Sequence, residues 1–280
     1  MLYKITVRSV LDYGLVVYYK DLNQSQLRKL DKLQYNAAKL VTGALHFTSQ
    51  DKLEAELGWE SIENRYYFLG LTLFHKIHRY ETRPLIRTCM QPLDVQNINR
   101  RSNGGHVPFP FKGKKFDNSF FPFFTGKWNK LKKEIKIKPM DEFKVLMKQD
   151  YKPTKYKFYS KGNKLKCSLL TRIRIGRSHL NEHKFTIGMS ETPHCTCTGN
   201  ARESPLHFIT QCQNFTEQRQ VMIDKVSTFI PNFKNLPKKR QYQILVHGYE
   251  PENQELRSIN TKIMIATQNF IFTSGRFISN

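Results

Sequence analysis

Three cysteines and one histidine lie close together in the last third of the chain, and their side chains suit a metal ion. Cys195 and Cys197 are separated by one residue, and after nine intervening residues His207 begins a second pair that Cys212 completes. A structural zinc ion is held by four thiolate or imidazole ligands, usually in two pairs that a turn brings together. The window therefore predicts a structural Zn2+ site formed by these four residues.

Two alternatives to this ligand set stay open. Zinc knuckles usually separate the ligands of the first pair by two residues, so Cys195 is the least secure ligand and His194 can substitute for it. In the other alternative, the three thiols are buried in a reduced core and His207 lies on a helix surface. The Gly199-Asn200 pair is a natural chain reversal between the two ligand pairs, and it favours the four-ligand site.

The sequence offers no catalytic constellation beside this site. A zinc ion with four protein ligands has no open position for water, so the site would be structural. The chain contains no Gly-rich phosphate loop, no GxSxG and no HExxH string. It also shows no aspartate pair of the kind that holds two magnesium ions in a polymerase. We therefore expect a protein that is not an enzyme.

The chain is strongly basic. It contains 46 Lys and Arg against 23 Asp and Glu, which gives a formal net charge of +23. So much like charge repels itself unless a polyanion neutralises it, and nucleic acid is the usual polyanion. Residues 112–184 contain 21 Lys and Arg against 6 Asp and Glu, so most of the net charge lies in this segment. We expect RNA or DNA as the partner, and the alternative is a solvated, lysine-rich surface.

The basic segment supplies the candidate nucleic-acid-binding residues. Arginine suits phosphate better than lysine does, because its planar guanidinium can donate two parallel hydrogen bonds. The first candidates therefore come from an arginine-rich stretch and the next from a run of lysines: Arg172, Arg174, Arg177 and His179, then Lys130, Lys132 and Lys133.

Helices must position these residues, and their periodicity is clearest in the first eighty residues. Apolar residues recur at helical spacing over residues 27–41 and 62–80, and we interpret both stripes as core. Thr48 and Ser49 can cap a short helix that ends at Gly58. The predicted fold class is mostly α.

Regular structure fails from about residue 82 to residue 126, where nine Pro and Gly residues interrupt a Phe-rich stretch. We therefore divide the chain into a helical region over 1–81, an irregular connection rich in Phe, Pro and Lys over 82–150, and a basic C-terminal domain with the zinc site over 151–280. The aromatic residues of segment 116–131 could stack on bases. We favour the alternative that they pin the connection to a core.

Cysteine usage and the N-terminal sequence indicate an intracellular protein. Five cysteines are an odd number, and Cys89 and Cys167 stand alone, which argues against a secreted disulfide framework. The N-terminal residues include Arg8 and Asp12 and offer no small-residue cleavage site, so they form neither a signal peptide nor a membrane span. We expect a reducing compartment, the nucleus or the cytoplasm, and no membrane partner.

Several strings occur in an order that resembles one protein family. They are VRSVLDYGLVVY (7–18), LQYNAAKLVTGA (33–44), LGWESIENR (57–65), FDNSFFPFFTGKWNKL (116–131), TRIRIGRSHLNEHKF (171–185) and the Cys-x-Cys…HFITQC motif with Glu203 ahead of it. Together they cover nearly the whole chain. They resemble the region after the polymerase domain in non-LTR (LINE-type) retrotransposon reverse transcriptase proteins of the jockey-like and chicken-repeat-like groups.

This resemblance implies a thumb-like helical segment, a basic connection and a zinc-knuckle-like C-terminal element. In that family these parts hold template RNA, primer and target DNA, and the knuckle ligands correspond to Cys195, Cys197, His207 and Cys212. The family's polymerase motif, an aromatic residue followed by x-Asp-Asp, and its endonuclease domain are absent from this sequence. The resemblance therefore implies a truncated, non-catalytic remnant that binds RNA or DNA and the rest of a reverse transcriptase.

A second class of function stays open. The N-terminal helices could instead pack against a partner polymerase subunit or a host protein, as in a structural or interaction protein. In that case the stripes over residues 27–41 and 62–80 would be partly exposed rather than core.

Overall fold

The computed structural model describes residues 2–80, 83–89, 106, 113–148, 159, 162–249 and 254–277. These residues are mostly helical and contain no β-strand, apart from isolated β-bridges. The predicted mostly α fold is confirmed. Within the same ranges, no helix combines the length and the apolar character that a membrane crossing requires. Much of the predicted connection, from residue 90 to 105 and from 107 to 112, lies outside the described residues.

In chain order, the described helices are α1 (Leu2–Asp12), α2 (Leu15–Tyr18), α3 (Gln24–Thr42), α4 (Gln50–Leu57), α5 (Ile62–Tyr80), α6 (Pro84–Thr88), α7 (Lys114–Asn118), α8 (Phe120–Asn129), α9 (Lys133–Lys136), α10 (Met140–Met147), α11 (Lys164–Arg174), α12 (Asn181–Thr186), α13 (Pro205–Thr210), α14 (Thr216–Ser227), α15 (Lys238–His247) and α16 (Gln254–Thr273). Short 3-10 turns lie at Tyr19–Asp21, Gln213–Phe215 and Phe233–Asn235.

The chain divides into two compact units. The first contains residues 1–34 and 60–152, and the second contains residues 35–59 and 153–280. Helices α1, α2 and α5 to α10 belong to the first unit, and α4 and α11 to α16 belong to the second. The boundary after residue 34 falls inside α3.

This division differs from the three regions predicted from the sequence. Residues 35–59 group with the C-terminal unit, and residues 113–148 share the unit of α5. The prediction of an irregular connection is wrong for residues 114–147, which form α7 to α10 with short links. Pro and Gly mark where helices end, but they do not indicate which helices pack together.

The core of the first unit is aromatic. Helix α8 packs against α5 and buries Phe124 and Trp128 completely. The Phe124 ring centroid lies 5.3 Å from that of Tyr66, and the Trp128 centroid lies 5.4 Å from that of Phe74. Aromatic pairs at this spacing add to the stabilisation from burial alone. The favoured interpretation, that the aromatic residues of segment 116–131 pin it to a core, is confirmed.

Pro122 explains why this segment is helical and not irregular. It is the third residue of α8, and a helix tolerates proline in its first turn because the missing N–H would have no acceptor there. Ser119 precedes the helix in an extended conformation, and its carbonyl accepts a hydrogen bond from the Phe123 N–H at 3.1 Å. The Phe-Phe-Pro-Phe-Phe sequence therefore starts a helix.

The two predicted apolar stripes are only partly buried. In α3, Leu33 is 41% exposed and Leu40 is 69% exposed, whereas Gln34 is fully buried and its amide is hydrogen-bonded. In α5, Leu73 is 40% exposed and Phe74 occupies the buried position. The prediction that both stripes are core is therefore wrong in part, and apolar surface on α3 and α5 remains exposed.

The second unit has a largely aliphatic core. Leu170 in α11, Val246 in α15 and Met264 in α16 are fully buried in it. The Asn163 side chain caps α11 by accepting a hydrogen bond from the Leu165 N–H at 2.7 Å. Helix α4 ends at Gly58 in the left-handed conformation (φ +63°), which confirms the predicted end of the short helix.

Gly70 allows α5 and α8 to approach closely, because a Cβ at this position would overlap the Phe124 ring. We expect Gly70→Ala to lower the free energy of unfolding by about 1–3 kcal/mol, measured by urea denaturation. The matched control is Gly126→Ala in α8, where an added Cβ would meet nothing within 4 Å. Because alanine favours helix, this control should raise stability by up to about 1 kcal/mol. Equal effects of the two substitutions would contradict the close packing.

Candidate metal centre and basic surface

A tight turn presents the first two candidate ligands. The Cys195 N–H donates to the Ala201 carbonyl at 2.8 Å, which joins the two arms of the turn. The Asn200 N–H donates to the Cys197 carbonyl at 2.9 Å, and Asn200 has φ +40°, a region that asparagine tolerates better than most residues. The chain reversal predicted at Gly199-Asn200 is confirmed.

Helix α13 and the residues after it present the other two candidate ligands. Ser204 caps the helix, since its Oγ accepts a hydrogen bond from the His207 N–H at 3.1 Å, and Pro205 occupies the first helical position. Cys212 follows the end of the helix, and its N–H donates to the His207 carbonyl at 2.8 Å. This short, capped helix therefore turns both side chains to one side.

The four candidate ligands form one buried cluster that could hold a metal ion. Their ligand atoms all lie within 4.8 Å of one another. Cys195 Sγ is 3.5 Å from Cys212 Sγ, and Cys197 Sγ is 3.5 Å from His207 Nε2. Metal–ligand bonds of about 2.0–2.3 Å in a tetrahedral zinc site place neighbouring ligand atoms about 3.3–3.8 Å apart. The shortest distances in the cluster suit such a site.

His194, the substitute ligand considered from the sequence, lies outside the cluster. Its side chain is exposed, and its Nδ1 is 2.7 Å from the Asn200 carbonyl oxygen. Cys195 is therefore the better ligand, although only one residue separates it from Cys197.

Burial and hydrogen bonding affect the four side chains differently. Burial raises the pKa of Cys195 to about 12 and also raises the pKa of Cys212. Burial opposes ionisation of Cys197 as well, but hydrogen bonds from the Cys195 side chain and from backbone N–H groups outweigh it and lower the Cys197 pKa. Burial lowers the pKa of His207, which keeps its imidazole neutral and able to bind a metal. A metal ion bound here would displace the remaining thiol protons.

An ion pair fastens the ligand-bearing turn to the rest of the second unit. The Glu203 carboxylate accepts two hydrogen bonds from the Arg276 guanidinium, at 2.7 and 2.8 Å, and the Glu203 side chain is only 3% exposed. The same carboxylate accepts a hydrogen bond at 2.6 Å from the N–H of Asn181, the first residue of α12. The Asn181 side chain in turn donates to the His194 carbonyl at 2.7 Å. Glu203 therefore joins the turn, α12 and the segment after α16.

Arg219 in α14 supports the ligands from the other side. Its guanidinium is buried and donates to the carbonyls of Ile209 at 2.9 Å and Cys212 at 2.5 Å. The Ile209 carbonyl lies in the last turn of α13 and the Cys212 carbonyl follows the helix, so neither accepts a hydrogen bond within α13. Sequence reasoning assigned no role to Arg219, Arg276 or Asn181, because an arginine count does not reveal which arginines are internal.

Arg174 is buried, so the prediction that it contacts nucleic acid is wrong. Its side chain is 0% exposed, and its Nε is 3.0 Å from Glu56 Oε1 on α4, which is itself 7% exposed. Its Nη1 donates to the Val246 carbonyl at 3.2 Å, and the Tyr159 hydroxyl donates to the Glu56 carboxylate at 2.6 Å. Arg172 and Arg174 are two residues apart and therefore lie on different faces of α11.

The other candidates of the second unit lie closer to the surface. Arg172, Arg177 and His179 are half-buried. Arg172 Nε donates to the Gly43 carbonyl at 2.9 Å, and Arg177 Nη1 is 3.5 Å from His183 Nε2. These side chains keep access to solvent, so they stay candidates for phosphate binding.

The lysine candidates belong to the first unit and are exposed. They lie around the link between α8 and α9, and they are Lys130, Lys132 and Lys133. Their exposure suits either a phosphate contact or a solvated surface.

Comparison of the chain with models of protein families, with curated proteins and with solved structures finds no match. The cluster geometry and the distribution of charge therefore carry the functional interpretation.

Removing the charge of Arg174 should destabilise the protein. Arg174→Leu leaves the buried Glu56 carboxylate without its counter-ion, and such a loss costs about 3–5 kcal/mol. We expect a decrease of this size in the free energy of unfolding, measured by urea denaturation. The exposed Lys239→Leu control should change it by less than about 0.5 kcal/mol.

The double variant Glu56→Leu/Arg174→Leu tests the reason for this loss. It removes both buried charges, so it should recover most of the stability that Arg174→Leu loses. A loss from Arg174→Leu no larger than that of the Lys239 control would show that the ion pair does not matter.

Proposed function

We propose that this chain is a nucleic-acid-binding protein whose second unit is organised by a structural zinc ion. In this proposal the four-ligand cluster holds Zn2+, and cationic side chains at the surface bind phosphate groups of RNA or DNA. The observation that carries the proposal is the buried cluster of three thiols and one imidazole, whose ligand atoms all lie within 4.8 Å of one another, in a chain with a formal net charge of +23. No residue is assigned a catalytic role.

The chemistry of the ligands supports zinc. Three thiols and one imidazole are soft or borderline donors that suit Zn2+, whereas Mg2+ and Ca2+ prefer oxygen ligands. All four positions would be filled by protein side chains, so the ion would stabilise the fold and would not activate water.

The distribution of charge supports nucleic acid as the partner. The formal net charge is +23, but some arginines are buried and bind internal acceptors, as Arg174 binds Glu56 and Arg219 binds the Ile209 carbonyl. The remaining cations, exposed lysines above all, would neutralise phosphates and release bound counter-ions. Such binding depends weakly on sequence and strongly on salt.

The resemblance to the region after the polymerase domain in non-LTR retrotransposon proteins supports the same proposal. In that family this region lies beside RNA and DNA during reverse transcription. We propose that this chain corresponds to that region, that it works in the nucleus or cytoplasm, and that it lacks polymerase activity of its own because the polymerase motif is absent from the sequence.

A structural or interaction role is the second candidate function. The observation that favours it is the apolar exposure of single helices. In α1 of the first unit, Ile5 is 62% exposed and Val10 is 71% exposed, and in the part of α3 that belongs to the second unit, Leu40 is 69% exposed. Exposed apolar side chains of this kind are found on surfaces that a protein partner covers.

The zinc site predicts the metal content of the purified protein. We expect about one zinc ion per chain by mass spectrometry of metals, and almost none in Cys212→Ser, because three remaining ligands hold the ion much less tightly. Cys89→Ser is the matched control, since Cys89 lies outside the cluster. Equal metal content in the wild type and in Cys212→Ser would rule out the site.

The salt dependence of binding tests the partner. With about three phosphate contacts, affinity for a short single-stranded RNA should fall about twentyfold between 50 and 200 mM salt. Fluorescence anisotropy with labelled RNA measures this, and Lys130→Gln/Lys132→Gln should reduce the slope. Lys239→Gln controls for the general loss of positive charge. An affinity that stays constant across this range of salt would contradict the proposed mode of binding.

A further inference from the structure

The turn after α11 and the start of α12 bring three basic side chains together. Arg177 Nη1 is 3.5 Å from His183 Nε2, and His179 is close enough to His183 for the two imidazoles to interact electrostatically. All three side chains are half-buried, so each keeps access to solvent. A buried Leu180 anchors the segment in the core, and Asn181 is held by the Glu203 carboxylate. The backbone that carries the three side chains is therefore anchored near its middle, at Leu180 and Asn181.

The surroundings of the two histidines are cationic. The groups whose charges act on His179 come from α11, from α12 and from the segment after α16, and those that act on His183 come from the turn and from α4. They are Arg172, Lys184, His183 and Arg276 for His179, and Arg177 and Lys52 for His183.

Two carboxylates lie close to this segment, Glu182 within it and Glu203 in contact with Asn181, and each already forms an ion pair with an arginine. Glu182 Oε1 is 2.9 Å from Arg202 Nε, and Glu203 holds Arg276 at 2.7 and 2.8 Å. The positive charge of the segment is therefore not neutralised by these two side chains, and an anion is the ligand that such a site favours.

We propose that Arg177, His179 and His183 form a phosphate-binding cluster, and that its affinity for nucleic-acid phosphate rises when the two imidazoles take up protons. This inference rests on the proposed function and deepens it, because it assigns the phosphate contact to named side chains and makes it depend on pH. His183 was not among the residues selected from the sequence.

The direction of the pH dependence follows from the surroundings. Burial lowers the pKa of His179 and of His183, and the neighbouring cations lower both further. At His183 a backbone hydrogen bond with Ser178 raises the pKa but does not reverse the shift, so the imidazoles are largely neutral at pH 7. A bound phosphate opposes the repulsion among the cations and raises both pKa values. Binding therefore takes up protons, and affinity increases as the pH falls. The gain is complete below the pKa values of the free protein and vanishes above those of the complex.

Protonation also changes the contact between Arg177 and His183. Neutral His183 Nε2 can accept a hydrogen bond from the guanidinium, whereas a protonated imidazole is a donor at both nitrogens. The two groups then compete for acceptors, and a phosphate oxygen can accept from both. When the pH falls, Arg177 and His183 thus give up their contact with each other, and both can donate to a phosphate oxygen.

The test measures the dissociation constant of the full chain for labelled single-stranded RNA, and for a DNA duplex of the same length, at about pH 6 and about pH 8 at fixed salt. We expect about tenfold tighter binding at the lower pH, to which both imidazoles contribute. His179→Gln/His183→Gln should lose most of this difference and keep the weaker affinity measured at about pH 8. The stronger of the RNA and DNA arms identifies the source of the phosphate.

Two further measurements separate this inference from the proposed function. At about pH 8 alone, Arg177→Gln should weaken binding several-fold more than Lys239→Gln does, and equal losses would overturn the cluster. A pH difference that persists unchanged in the double histidine variant would also overturn it, while leaving nucleic-acid binding in place. Absence of binding to RNA and DNA at both pH values would defeat the proposed function itself. Zinc content measured at both pH values checks that the second unit is intact.

Discussion

The buried Glu203 carboxylate is the constraint on which the second unit depends. A carboxylate that is 3% exposed must be compensated, because an unpaired charge in the interior costs several kcal/mol. Its partners are Arg276, beyond α16, and the first backbone N–H of α12. Helix α16 is packed into the aliphatic core, so the ligand-bearing turn is positioned relative to that core. The candidate metal centre is therefore joined to the fold in two ways, through its four ligands and through Glu203, which lies between Cys197 and His207 in sequence.

Some arginines of this chain are buried and bind internal acceptors, and others remain near solvent. Arg174 and Arg219 are buried and satisfy a carboxylate and backbone carbonyls, whereas Arg177 remains near solvent. The desolvation of a guanidinium is tolerated only where such acceptors are in place. Net charge alone overstates the surface available to a polyanion, and the proposed nucleic-acid interface depends on the cations that are not used internally.

In the first unit, the burial of aromatic side chains orders a Phe-rich segment. Phe124 and Trp128 pack against α5, and the absence of a side chain at Gly70 lets the helices approach. These two aromatic side chains are thereby removed from solvent, whereas lysines of the segment that follows remain exposed. In α1 of the same unit, Ile5 and Val10 remain exposed.

The sequence by itself determined the features that depend on neighbours within a few residues. These are the helical class, the end of α4 at Gly58, the reversal at Asn200 and the choice of donor atoms for a metal ion. Only the tertiary structure decided which helices share a core, that Arg174 is internal, and that Glu203 meets Arg276. Capping, turn preference and ligand chemistry are local properties. Burial, by contrast, arises from contacts between segments that lie far apart in the chain, and no short stretch of sequence encodes its partner.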